Sequence, residues 1–259
     1  MPISAGSSEV RGRRPRLSAV SELVGRTPLL TLQRSGDGHA HVKHEGMGPG
    51  GSFFDRVARL QLDAVESGAI VCEGASAWTV SVAQQAAARG LTVHVFMDRD
   101  APRRVVDLVR RFGADVRRVR DGLAVTDAIR DHVLGGAIEL ERRDVRAHLS
   151  ALRVIRAEVE TQLGGLPARW VAVDYGVDRD AASTALGAPV SWIRDDDERA
   201  RPLFGTAAAR RTQMGHREGL LVSPVGAEVT DRTVNLALGG DEHVVGIIPE
   251  GGHRYLGWW

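Results

Sequence analysis

The sequence predicts an α/β protein with mainly parallel sheets, and three observations carry that reading. Between residues 69 and 141, strand-sized apolar runs alternate with helix-sized segments, the pattern of a parallel sheet covered on both faces. The longest apolar runs, 91–97 and 244–248, fall far short of the roughly 20 residues a membrane span requires. At 259 residues, 43% hydrophobic and 26% charged, the chain can bury the core of one large α/β unit or of two packed subdomains.

Residues 1–16 carry Arg11, Arg13, Arg14 and Arg16 among small residues and read as a flexible basic arm; no apolar stretch follows that could form a signal peptide. A short helix at 17–25, a strand at 27–33, a turn at 35–38 and a second strand at 40–45 come next. A glycine-rich bend at 47–51 leads to Ser52, a good N-cap for a helix reaching about residue 66 with apolar positions 53, 54, 57, 60 and 64. The alternation then runs strand 69–72, helix 79–89, strand 92–97, helix 102–112, strand 115–119, helix 123–134, strand 137–141. A helix at 144–163 stopped by Gly164 and Gly165, a strand at 170–175, one or two helices within 210–239 and a last strand at 244–248 complete the chain.

Lys+Arg 34 against Asp+Glu 33 leaves a formal charge of +1, so no global field draws the protein to nucleic acid or a membrane. The single cysteine, Cys72, excludes a disulfide framework and a cysteine-based zinc cluster, which favours a reducing compartment and a cytoplasmic location. Lys43 is the only lysine, so the chain has one side-chain amine for Schiff-base chemistry.

Three stretches in order resemble the fold-type II pyridoxal-phosphate (PLP) enzymes of the tryptophan synthase β-like superfamily, and within them the cysteine synthases. Val24-Gly25-Arg26-Thr27-Pro28-Leu29 is similar to the family's I-G-N-T-P-L. Val42-Lys43-His44-Glu45 followed by Gly48-Pro49-Gly50-Gly51-Ser52-Phe53-Phe54-Asp55-Arg56 resembles K-x-E…N-P-G-G-S-x-K-D-R. The close at 245–256 resembles V-V-x-I-L-P-D-S-G-E-R-Y-L. The resemblance implies two three-layer αβα subdomains: a smaller N-terminal one at 36–142, and a truncated C-terminal one made of 17–35 plus 143–259. It also implies a homodimer, or a heteromer with an active relative.

The departures all bear on the cofactor that the resemblance implies. Phe54 stands where the family's aldimine lysine would be, and phenylalanine has no nucleophile. Trp78 replaces the asparagine that meets the cofactor's ring hydroxyl, with Ala77 and Val80 in place of glycines. The family's phosphate loop, G-T-G-G-T after a core strand, corresponds to 175–180, where Asp178 and Asp180 would face a dianion. Gly251 takes the place of the serine that meets the pyridine nitrogen. The expectation is therefore a pseudoenzyme with no PLP and no lysine-based catalysis, acting by binding a protein partner or an amino-acid-like ligand. Its remnant cleft would be formed by Ser52, Ser76, Trp78, Thr79, Gly251 and His253.

Two alternatives stand beside it: a PLP-independent enzyme reusing the cleft on an aminoacyl or carrier-bound substrate, with Cys72, Glu73, Ser76, Thr79 and His253 as its groups, and residual β-replacement chemistry. Phe53 and Phe54 read most simply as core residues of the first helix, and Cys72 as a small buried apolar residue. His39, His41 and His44 read as a solvated strand edge rather than a metal site, because no carboxylate or cysteine completes a ligand set. Asp195–Glu198 reads as a solvated loop, Asp55, Arg56 and Arg254 as scaffold ion-pair residues, and Trp258 and Trp259 as indoles buried against the body or a partner.

Overall fold

A computed structural model of the chain describes residues 19–33, 38–120, 122–194, 206–240 and 242–255. The basic arm, most of the 35–38 turn, the acidic run 195–198 and the terminal tryptophans lie outside the described residues. After a 3-10 turn at Val20–Leu23 the order is β1 (Leu29–Thr31), β2 (Ala40–His44), α1 (Phe54–Leu62), β3 (Ala69–Glu73), α2 (Ala77–Ala87), β4 (Thr92–Asp98) and α3 (Arg103–Arg111). It continues β5 (Asp115–Val119), α4 (Gly122–Leu134), β6 (Ile138–Glu139), α5 (Val145–Leu163), β7 (Arg169–Asp174), α6 (Arg179–Leu186) and β8 (Val190–Arg194). Then come α7 (Thr206–Glu218), α8 (Pro224–Leu238), β9 (Val244–Ile248) and a 3-10 turn at Gly252–Tyr255.

The strands form two sheets, ordered β1-β2-β9-β7-β8 and β5-β4-β3-β6, and only the β1–β2 pair is antiparallel. Helix α8 covers one face of the larger sheet through Val225, Ala227 and Val229 against Val42, Val171 and Ile248. The other face of that sheet, with Trp170, Ala172, Val245 and Ile247, joins α1, α2 and α5 in a core that continues into β3 and β4 of the smaller sheet. Val71, Phe96 and Ile129 close the smaller sheet's far face under α4. This is the expected pair of αβα sandwiches. Helix α1, packed on α2 and on α5, joins them.

Three elements differ from the sequence reading. Strand β2, assigned above to the smaller N-terminal unit, pairs with β9 over five residues and belongs to the larger sheet. Helix α6 and strand β8 lie in a stretch to which the sequence reading assigns no element; Asp178 caps α6 by accepting from Ala181 N at 2.7 Å, and Gly187 ends it at φ 76. His41, read as part of a solvated edge, is 4% exposed, because β2 lies between β1 and β9. Its Nε2 is 2.9 Å from His243 Nδ1 and its Nδ1 is 3.0 Å from Thr31 Oγ1. Burial, followed by the charges of His243 and His39, lowers its pKa.

The K-x-E strand is tied to α1 and α5 by a buried charge network. Arg56 donates through Nε to Glu45 Oε2 at 2.6 Å, and through Nη1 and Nη2 to Glu158 Oε1 and Oε2 at 2.7 and 2.8 Å. Lys43 Nζ lies 2.7 Å from Glu158 Oε2 and donates to Thr27 O and Gln162 Oε1 at 2.6 and 2.9 Å. Thr27 Oγ1 donates to Glu45 Oε1 at 2.6 Å, which brings the T-P-L segment into the same network. Asp55, read with Arg56 as scaffold ion-pair residues, bonds elsewhere, accepting from Gly50 N and Ser81 Oγ. A buried pair that loses one partner leaves an uncompensated charge, so Arg56→Met is expected to cost about 3–5 kcal/mol. A urea denaturation midpoint within error of the parent would contradict this.

Burial pushes the Glu158 carboxyl up, but bonds from Arg56, Lys43 and Arg26 N outweigh it and bring the pKa to about 2, against an ordinary 4.5. The stability contributed by Glu158 is present above about pH 4.5 and is lost as the pH falls from there towards 2, because the unfolded chain takes up the proton first. Parent protein and Glu158→Gln melted between pH 7 and 2.5 should converge in stability in that window; parallel curves would exclude this origin.

Candidate functional site

The C-terminal ends of β7 and β9 meet the bend before α1 around Phe53. The bend before α1 is held by backbone: Phe53 N donates to Pro249 O at 2.7 Å, Gly251 N to Gly51 O at 3.2 Å, and Ser52 bridges Glu250. Gly46 is required here, since a Cβ would lie 2.1 Å from Gly251 N. A Cβ at Gly251 would meet the His253 ring at 2.5 Å, so the serine of the resembled motif has no room unless that ring moves.

Phe54, at the first position of α1, is 2% exposed. Its ring centroid is 5.8 Å from that of Phe53 and 4.9 Å from that of Tyr175, with His148 at 5.9 Å in an edge-on geometry. Phe53 stacks on Tyr175 at 5.6 Å with the planes 4° apart, and Arg142 Cζ lies 5.6 Å from the Phe54 centroid. The cavity left beside this cluster, lined by Phe53, His148, Tyr175, Trp192 and Ile247 among others, is about 20 Å³, the size of a single water. Burial lowers the pKa of His148 against the hydrogen bond it makes to Asp144 O, so its ring is held neutral among the aromatics.

The expected cleft residues separate into two groups. Ser52, Gly251 and His253 come together at the bend, but Ser52 is 1% exposed and its Oγ accepts from Phe54 N at 3.2 Å. Ser76 caps α2 by accepting from Thr79 N, and Thr79 Oγ1 donates to Gly74 O at 2.8 Å. Trp78 and Thr79 have no exposed surface, and Trp78 Nε1 donates to Gln61 Oε1 at 2.8 Å. Trp78, Thr79 and Ser52 are buried and bonded within the protein, whereas Ser76 and His253 keep accessible surface. Burial and the neighbouring Glu73 charge push the Cys72 thiol up to about 12, so it is no nucleophile at neutral pH. Among the described residues no group of three or more His, Cys, Asp or Glu could hold a metal ion.

The end of β7 differs most from the sequence reading. Asp178 turns its carboxylate to the α6 N-terminus, and among the described residues the space beside the strand end is lined by Arg142, Arg143, Arg179 and Arg194 and by the Asp174 carboxylate. The electrostatics are the reverse of the two facing carboxylates inferred from residues 175–180. Arg142, Arg143 and Arg194 were missed because they come from other segments of the chain.

The sequence family described as pyridoxal-phosphate dependent enzyme matches residues 20–176. A cysteine synthase of Dictyostelium discoideum is 30% identical over 112 residues, and the match covers 39% of this chain and 30% of that protein's length. Among solved structures, an O-ureido-L-serine synthase superposes with a TM-score of 0.78 at 19% identity, covering 93% of this chain and 94% of its own. A cysteine synthase of Entamoeba histolytica gives 0.76 at 14% identity, covering 99% and 93%. These likenesses establish the fold as fold-type II.

The family match overturns one expectation, that the protein works with no cofactor: the matched family is PLP-dependent, and Lys43 is retained inside the matched residues. The cavity beside Phe53 and Tyr175 is about 20 Å³, and Lys43 Nζ is fully buried on Thr27, Gln162 and Glu158. Burial lowers the Lys43 pKa despite the opposing pull of Glu158. Phe54→Ala should cost about 3–5 kcal/mol by opening the cluster. A loss under 1 kcal/mol by urea denaturation would show that the crevice is loosely packed.

Proposed function

We propose, from the premise that this chain belongs to the family of pyridoxal-phosphate dependent enzymes, that it is a cysteine synthase-like member that acts by binding rather than by turnover. Its ligand is an amino-acid-like molecule held at the mouth of the crevice. A second copy of the chain, or an active relative, is the protein partner of the same proposal. The observation that carries the reading is the Phe54 ring, enclosed by Phe53, Tyr175, His148 and Arg142 at the start of α1. Exchange chemistry at an amino acid's β-carbon needs a base at the α-carbon, and an aromatic ring supplies none. The buried, high-pKa thiol of Cys72 disfavours a reused cleft with a cysteine nucleophile.

The reading concerns turnover and leaves the cofactor as the family has it. Purified protein supplied with PLP, an O-activated serine and sulfide should form cysteine no faster than the mixture without protein, and Lys43→Ala should match the parent. Cysteine formation that disappears in Lys43→Ala would overturn the proposal. So would a serine-dependent change in the visible spectrum of added cofactor that requires Lys43.

A further inference from the structure

Two histidines meet on the far face of the smaller sheet, where the end of α4 reaches β4. His94 is the third residue of β4 and His132 lies in the last turn of α4; their ring centroids are 4.7 Å apart, with the planes at 56°. Phe96, two residues along the same strand face as His94, meets the His132 ring edge-on at 5.4 Å and is buried with Val71 and Ile129. The His132 ring is thus seated on a core residue. This cluster is separate from the core that holds Phe53 and Phe54.

Each ring has one nitrogen committed to an oxygen. His132 Nδ1 donates to Ala128 O at 2.7 Å, since a carbonyl oxygen can only accept. His94 Nδ1 donates to Asp115 Oδ2 at 3.3 Å, a carboxylate oxygen that also accepts from Arg117 Nε at 3.3 Å. In their neutral forms both rings therefore carry the proton on Nδ1 and a lone pair on Nε2. An oxygen acceptor that fixes the tautomer and the ring orientation is what stands behind histidines that ligate metal ions. The His94 side chain is 24% exposed and His132 is half-buried, so both rings keep surface. The group of His39, His41 and His243 lacks this arrangement, because His41 engages Thr31 through one nitrogen and His243 through the other.

We propose that His94 and His132 bind one divalent transition-metal ion of the zinc, copper or nickel class through their Nε2 atoms, with water completing its shell. Metal–nitrogen bonds of about 2.0–2.1 Å put the centroids of two imidazoles that share an ion about 4.5–5 Å apart. The separation here is 4.7 Å. Imidazole nitrogen suits these ions, whereas magnesium and calcium take oxygen ligands. Two protein ligands are fewer than the four of a closed structural site, so the ion keeps open positions. Asp115 is a positioning residue, acting through His94. A bound ion ties the end of α4 to β4 and stabilises the smaller sandwich, independently of what the crevice beside Phe54 binds.

Titration calorimetry and thermal melts of the full chain with zinc chloride, and with magnesium chloride as the hard-cation control, test it. Saturable zinc binding that raises the thermal midpoint is expected, with none for magnesium. His94→Ala and His132→Ala should each abolish the saturable event, and His132→Gln gives a second variant at the helix position should the alanine variant melt early without metal. Asp115→Asn, which leaves both ligands in place, should weaken zinc binding by about tenfold with an unchanged metal-free midpoint. His243→Ala should bind zinc as the parent does. No saturable zinc binding, equal affinity for magnesium, binding that survives in both His94→Ala and His132→Gln, or binding lost only in His243→Ala would each overturn the assignment.

Discussion

The buried network of Glu45, Arg56, Glu158, Lys43 and Thr27 is the constraint on which the rest of the structure depends. It joins the T-P-L segment, strand β2 and helix α1 to helix α5, whose Glu158 lies 102 residues beyond Arg56. Charges in such a place are stable only with every partner present, so the network specifies one register and one docking angle for α1. With α1 fixed, Phe53 and Phe54 are delivered to the crevice, and the backbone contacts from Pro249 and Gly251 close the bend beneath them.

The crevice has an inner and an outer end of opposite character. Inside, two phenylalanines, Tyr175 and a neutral His148 fill the space almost completely. Outside, among the described residues, Arg142, Arg143, Arg179, Arg194 and Asp174 line an open volume. Tyr175 belongs to both, and Arg142 spans them through its contact with the Phe54 face.

Legibility in the sequence varied with the range of the interaction. Ser52, Ser76, Asp144 and Asp178 act within three residues of themselves, and three of these starts were close to the expected helix boundaries. Gly251 lies in a motif that resembles the family's and Gly46 directly follows the K-x-E stretch, and their backbones approach too closely for side chains. Trp78 was read as a cleft residue from its place in a motif, but the motif does not show that its indole turns to Gln61. His41 looked exposed because a polar residue in a short strand reads that way, until β9 and His243 arrive from the other end of the chain.

The amino-acid order alone determined the alternation of strands and helices, the family motifs and the phenylalanine at position 54, because periodicity, capping and residue identity act locally or need no fold at all. Only the tertiary structure decided that β2 belongs to the larger sheet, that Lys43 is held by Glu158, and that Arg142 and Arg143 share a cavity with Arg179 and Arg194. The reason is physical: electrostatic and packing energies depend on distance through space, and chain separation carries no information about which distant groups the core will bring together.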